Sequence, residues 1–147
     1  MSAIRFRTWV LVMLAVVFVV GWSHLAVAGS QAVKLITIPG EDRFTPFAVT
    51  VHVGQGVRWI NNDTDMHNII SNDAFNTAGH KGLNHVILPG SHFTLKFTHP
   101  GVFPFYCDLH STLDGSHQPK APGPDGGITD PDGNFGTPMN GVVTVIP

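Results

Sequence analysis

The sequence predicts an all-β domain, a Greek-key β-sandwich or barrel of about seven or eight short strands. Charged residues make up only 12% of the chain and hydrophobic residues 43%, which is typical of a chain with a buried core rather than a disordered one. The 16 Gly and 11 Pro interrupt the chain too often for a helical bundle. Between these interruptions, apolar and polar residues alternate in short runs, which is the period of a β-strand.

Two runs on either side of a glycine-rich turn are predicted to pair as a hairpin. Val49–Val53 alternates apolar with polar residues, Gly54-Gln55-Gly56 turns the chain, and Val57–Ile60 follows directly. Ser91–Thr98 also alternates, with its apolar side chains on one face. The remaining predicted strands are Val33–Ile38, His67–Ser71, Val102–Cys107 and Gly141–Ile146.

Length and charge restrict the function classes. A chain of 147 residues has room for one ordinary domain. Its net charge of −2 excludes a generally basic, nucleic-acid-binding protein, so no nucleic-acid partner is expected.

The first 28 residues predict a signal peptide. Arg5 and Arg7 precede the apolar run Trp9–Val20, and Ala26-Val27-Ala28 supplies the small residues of a cleavage site. We therefore expect an exported domain, 29–147, in the periplasm or outside the cell, with no stable membrane insertion after cleavage. An uncleaved membrane anchor is the alternative. In an oxidising compartment the lone cysteine would be covered, crosslinked between chains or bound to a metal.

A long loop is predicted before the last strand. Residues 114–138 contain five prolines and six glycines and almost no apolar side chains. Loops of that length are uncommon inside compact domains and tend to be functional. We interpret the segment as an insertion.

Four residues predict a copper site. Cys107 and His110 lie three residues apart at the end of a predicted strand, His67 follows a polar turn, and Met139 directly precedes the last strand. A thiolate, two imidazoles and a thioether form a soft ligand set that suits copper in both oxidation states. Magnesium or calcium would require carboxylates instead.

The sequence resembles the cupredoxins, the plastocyanin- and amicyanin-like blue copper proteins. The resemblance implies a type 1 site for one copper ion, with His67, Cys107 and His110 as equatorial ligands and Met139 as the weak axial ligand. It also implies that Asn68 braces the ligand loops by hydrogen bonding. The matching segments run in the family's order: Phe44–Pro46, Val49–Asn62, His67–Asn68, Leu88–Gly90, Pro100–His110 and Met139–Val145.

The axial position departs from the family pattern. In amicyanin-like members the methionine comes three residues after the second histidine, where this chain has Leu113-Asp114-Gly115. The matching Met-x-Gly pattern begins at Met139, with 28 residues between it and His110. We interpret this as an insertion that retains Met139. A non-coordinating Leu113 or an open axial position are the alternatives.

The resemblance implies a one-electron carrier rather than an enzyme, with redox partners docking near an exposed edge of His110. Two alternative functions stay open. One is a mononuclear copper enzyme or ligand-binding protein with an open axial site, and the other is a copper delivery or storage protein. A second metal site between His80 and His85 is a further alternative.

Overall fold

A computed structural model describes residues 31–71 and 83–147. The predicted signal peptide and His80 lie outside the described residues. Within those two ranges, no helix has the length and apolarity needed to cross a bilayer. The strands are β1 Lys34–Ile38, β2 Ala48–His52, β3 Gly56–Asn61, β4 His67–Ser71, β5 Asn84–Ile87, β6 His92–Lys96, β7 Gly101–Tyr106, β8 Thr112–Leu113, β9 Pro119–Lys120, β10 Ile128–Thr129, β11 Phe135–Thr137 and β12 Asn140–Ile146.

The longer strands form two mixed sheets. In the smaller sheet, the order is β1-β3-β6, with β1 parallel and β6 antiparallel to the central β3. In the larger sheet, the order is β2-β12-β7-β4-β5, with β2 parallel to β12 and the other pairs antiparallel. The predicted all-β sandwich fold is confirmed.

The core lies between the inner faces of the two sheets. Alternation places every second residue of a strand inward, so Val143 and Val145 of β12 are buried while Val142 and Thr144 are partly exposed. Trp59 of β3 packs edge-on against Phe105 of β7, with ring centroids 5.4 Å apart, and thereby joins the two sheets. Removal of this apolar surface from water stabilises the sandwich.

The predicted hairpin between the second and third strands is wrong. β2 pairs with β12, where Val51 is opposite Val145, whereas β3 pairs with β1 and β6. The turn through Gly54, whose φ is 86°, carries the chain from one sheet to the other. Periodicity and turn residues identify two strands and a connection, but they do not identify which strands exchange hydrogen bonds.

Residues 114–138 are locally ordered by hydrogen bonds. β8 pairs with β9 and β10 pairs with β11, each over two residue pairs. The carboxylates of Asp114 and Asp130 each accept hydrogen bonds from backbone N–H groups two and four residues further along. Turn chemistry therefore organises a segment that contributes little to the core.

Candidate metal centre

Three strand ends bring the potential ligands together. His67 begins β4, Cys107 directly follows β7, and Met139 directly precedes β12. These strands are neighbours in the larger sheet, where Tyr106 of β7 is opposite both Ile70 of β4 and Asn140 of β12. The order of the strands therefore collects residues that are up to 72 positions apart in the chain.

The donor atoms of His67, Cys107 and His110 face one another. The two Nδ1 atoms are 3.1 Å apart, and the Cys107 Sγ lies 4.0 Å from the His67 Nδ1 and 3.6 Å from the His110 Nδ1. All three residues are buried. Ligand atoms bound to one ion at about 2.0–2.3 Å lie roughly 3–4 Å from each other, so the spacing fits a single metal ion.

The surroundings of Cys107 act on its thiol in opposite directions. Burial raises the pKa of the Cys107 thiol, since the low-dielectric interior disfavours the thiolate. The backbone N–H groups of Asn68, Leu109 and His110 lower that pKa by interacting with the sulfur, and the Asn68 N lies 3.4 Å from it. The N–H groups are therefore already placed to stabilise the thiolate that a metal requires.

Burial also favours the form of His67 that binds metals. Desolvation lowers the pKa of His67, a hydrogen bond with Asp63 opposes that change, and the nearby His110 lowers the pKa further. The neutral imidazole is the form that ligates metals.

Each imidazole contacts a carboxylate on its outer side. The His67 Nε2 lies 3.1 Å from an Asp63 oxygen, and the His110 Nε2 lies 3.3 Å from an Asp42 oxygen. Neither aspartate was predicted from the sequence. Asp63 lies in the polar turn four residues before His67, which is a weak local signal, whereas Asp42 is 68 positions from His110 and no local pattern connects them.

Asn68 connects two of the ligand segments. Its amide Nδ2 donates to the Asp108 carboxylate at 2.5 Å, and the Asp108 backbone N–H donates back to the Asn68 Oδ1 at 3.0 Å. This reciprocal pair ties the residue after His67 to the residue after Cys107.

Met139 and Leu113 occupy different environments. Met139 is fully buried, and its carbonyl accepts hydrogen bonds from the Cys107 N–H at 2.9 Å and the Ser111 hydroxyl at 3.2 Å. Leu113 is half-buried and lies opposite Pro119 in the short β8–β9 ladder. The backbone therefore holds Met139 beside the cysteine, while Leu113 directly precedes the inserted segment and pairs with it.

The inserted segment packs directly on the loop that carries His110. The Asp125 N–H donates to the Leu109 carbonyl at 2.8 Å. Gly123 approaches so closely that a Cβ there would lie 2.3 Å from the Leu109 carbonyl oxygen and the Ser111 nitrogen. Only glycine permits this backbone approach.

The prediction of an exposed His110 edge is wrong. His110 is only 3% exposed, because Asp42 and the inserted segment lie around it. His110 instead lines a hollow of about 240 Å³, together with Met66, Leu109 and the exposed Asp65 and Asp125.

The second metal site suggested between His80 and His85 stays a prediction. The His85 ring stacks on Phe93, with ring centroids 3.8 Å apart, and His80 lies outside the described residues.

The comparisons with known proteins agree with the observed fold. A family model for the cupredoxin-like domain matches residues 10–116. The chloroplastic plastocyanin of Tetradesmus obliquus is 34% identical over 99 residues, which cover 64% of this chain and 68% of that protein. The plastocyanin of Scenedesmus fuscus is 31% identical over 83 residues, which cover 53% and 85%.

The fold also matches a solved structure of an oxidised amicyanin variant. The TM-score is 0.53 at 19% identity, over 77% of this chain and 81% of the amicyanin. The cofactor that fits this fold and the thiolate–imidazole donor set is a single copper ion. The chain belongs to the cupredoxin-like family of copper electron-transfer proteins.

Proposed function

We propose that this protein is an exported, mononuclear type 1 copper protein that carries single electrons between redox partners. The observation that carries the proposal is the convergence of the Cys107 Sγ and the two Nδ1 atoms of His67 and His110 within 4.0 Å of one another. Copper bound there supplies reversible one-electron chemistry between Cu(I) and Cu(II).

We assign His67, Cys107 and His110 as equatorial ligands and Met139 as the weak axial ligand. Full burial of Met139 and its hydrogen bonds to the Cys107 and Ser111 segments support it over Leu113. The family model ends at residue 116, so the axial assignment depends on these contacts. Asn68 acts as a brace, because its reciprocal hydrogen bonds with Asp108 hold two ligand segments together.

The surroundings suit electron transfer better than catalysis. Hydrogen bonds hold every ligand segment in place, so little has to move when the oxidation state changes. The burial of His67, Cys107, His110 and Met139 leaves little room for a substrate beside the donor atoms. Both features favour a carrier over a copper enzyme, and the four methionines are too few for a typical storage protein.

Redox partners dock, in this proposal, at the hollow lined by Met66, Leu109 and His110. The exposed Met66 provides apolar contact area, and Asp65 and Asp125 place negative charge at the rim. A partner with a basic surface around its redox centre is complementary to this rim.

Titration with Cu(II), followed optically and by voltammetry, tests the copper site. We expect an intense blue band at one equivalent of copper, no band for Cys107→Ser, and a retained band with a shifted potential for Met139→Leu. Met66→Leu is the matched control, because Met66 is 44% exposed and should leave both properties unchanged. A wild-type protein without the band, or with a spectrum that changes on adding azide, contradicts the proposal and favours an open enzyme-like site.

Residues 114–138 contribute Asp125 to the rim of this hollow, so this segment takes part in docking in the proposal. Substitution of Gly123, where the segment contacts the ligand loop, tests that role. Gly123→Ala must push the inserted segment away from the ligand loop, whereas Gly136→Ala meets nothing within 4 Å and serves as the control. We expect Gly123→Ala to change the rate of electron transfer to a basic haem protein while the blue band persists. An unchanged rate would contradict the docking role of this segment.

A further inference from the structure

The outer nitrogens of both histidines meet carboxylates that approach from different parts of the chain. The Asp63 side chain beside His67 is 8% exposed and the Asp42 side chain beside His110 is 23% exposed. Water therefore screens both pairs less than it would at a fully exposed position. Carboxylate–histidine pairs of this kind recur around metal ions, where they orient the ring and raise its basicity as a ligand.

Asp63 is held in position by its own turn. Its backbone N–H donates to the Asn61 side chain at 2.9 Å, and its second carboxylate oxygen accepts from the Thr64 N–H at 2.6 Å. Asn61 is itself fully buried and donates to the carbonyls of Asp65 and Ile87. The carboxylate is therefore part of a rigid hydrogen-bonded turn rather than a free surface group.

Asp42 lies in the connection between β1 and β2. Tight backbone hydrogen bonds from Glu41 to Pro39 and from Arg43 to Glu41 shape this segment, and the buried Phe44 anchors it to the core. Two unrelated segments thus present a carboxylate to the same position on the two rings.

The carboxylates determine which nitrogen of each imidazole carries the hydrogen. A carboxylate only accepts, so each Nε2 carries the hydrogen and each Nδ1 presents a lone pair. The two Nδ1 lone pairs then face each other at 3.1 Å, an arrangement that a cation between them stabilises.

We propose that Asp42 and Asp63 are positioning residues that orient the two ligand imidazoles and lower the reduction potential of the copper. Two negative charges behind the ligands stabilise Cu(II) more than Cu(I), since Cu(II) carries the larger charge. This inference rests on the proposed copper site. It adds a determinant of the potential that lies outside the ligand set.

The test measures reduction potential and Cu(II) affinity for Asp42→Asn and Asp63→Asn. Asparagine keeps an acceptor for the Nε2–H group but removes the charge. We expect each variant to weaken Cu(II) binding relative to Cu(I) by about tenfold, at the low end of the 10–100-fold range for such partners. A tenfold change raises a one-electron potential by about 59 mV.

Asp65→Asn is the matched control. Asp65 adds one carboxylate at the same end of the molecule, and it lines the hollow rather than contacting an imidazole outer nitrogen. Equal shifts in all three variants, or no shift in any, would overturn the inference. If Asp63→Asn fails to fold, the reduction potential of Asp42→Asn alone tests the inference. Asp42 lies on a partly exposed connection, so its substitution should not prevent folding. Failure of the copper site itself is distinguishable, since the wild-type protein would then lack the blue band.

Discussion

The sandwich body and the metal end of this protein are built by different interactions. In the body, the interior consists of apolar side chains from both sheets, such as Ile36, Trp59 and Val143. At the metal end, the buried groups are mainly polar and hydrogen-bonded: Asn61, His67, Asn68, His110 and Ser111, with Cys107 among them. The body is stabilised by burial from water, whereas the metal end depends on complete hydrogen bonding and on the ion.

This difference explains how the family fold can accept 28 residues between His110 and Met139. The strands on either side of this segment belong to one sheet, because β7 and β12 are paired along six residues. The segment lies at the metal end, where loops meet, and there it packs on the ligand loop through Gly123 and Asp125. The loops at the metal end can therefore vary in length while the apolar core of the sandwich body is retained.

The largest expected effect is on the body. Trp59→Ala removes the ring that packs between Phe93 and Phe105 and leaves a cavity, which should lower the free energy of unfolding by about 3–5 kcal/mol. Urea denaturation of the metal-free protein measures this change. Leu35→Ala, on the same sheet but 51% exposed, is the control and should change stability by less than about 0.5 kcal/mol. Similar losses for the two variants would contradict the assignment of the core.

A smaller effect is expected from a polar residue at the metal end. Asn61→Ala removes three hydrogen bonds that hold the turn carrying Asp63, and it should lower the free energy of unfolding by about 1–3 kcal/mol.

The Asn61→Ala variant should also bind copper more weakly in a titration, because the ligand His67 follows this turn. Asn62→Ala, whose side chain is exposed, is the neighbouring control. A loss of stability with unchanged copper affinity would show that the turn supports the body alone.

The smallest expected effect is a pH dependence confined to the metal end. The pKa of His67 is lowered in the folded protein, so below the ordinary value of 6.5 the unfolded chain takes up a proton that the folded chain does not. The metal-free protein should therefore lose stability as the pH falls from 6.5 toward the lowered pKa.

Urea denaturation at pH 7 and pH 5.5 tests this dependence, with His67→Asn as the comparison. Between pH 7 and pH 5.5, we expect the free energy of unfolding to fall more in the wild-type protein than in His67→Asn. Parallel losses in both proteins would assign the pH dependence to other groups.

Much of the body could be predicted from the sequence because strand alternation is a local property. Seven strands were predicted within about two residues of their observed ends, and Phe93, Leu95 and Phe97 do face the core. β5 was missed, since Asn84-His85-Val86-Ile87 is short and half polar. The pairing of β2 was predicted wrongly, because hydrogen-bond partners depend on the packing of two sheets rather than on neighbouring residues.

The metal end was predictable only in part. Cys107 and His110 were predicted from their spacing, and His67 and Met139 from their positions beside predicted strands. The family resemblance then implied the role of each ligand. Asp42 and the burial of His110 could not be found, since they depend on how the β1–β2 connection and the inserted segment fold over the ligand loop.

The sequence alone determined seven of the strands, the soft donor set and the class of metal, because alternation, turn residues and ligand chemistry are properties of individual residues and their near neighbours. Tertiary structure alone decided which strands pair, that the donor atoms converge, and that carboxylates lie behind both imidazoles. Those properties depend on distances between segments far apart in the chain, and such distances exist only once the two sheets have packed against each other.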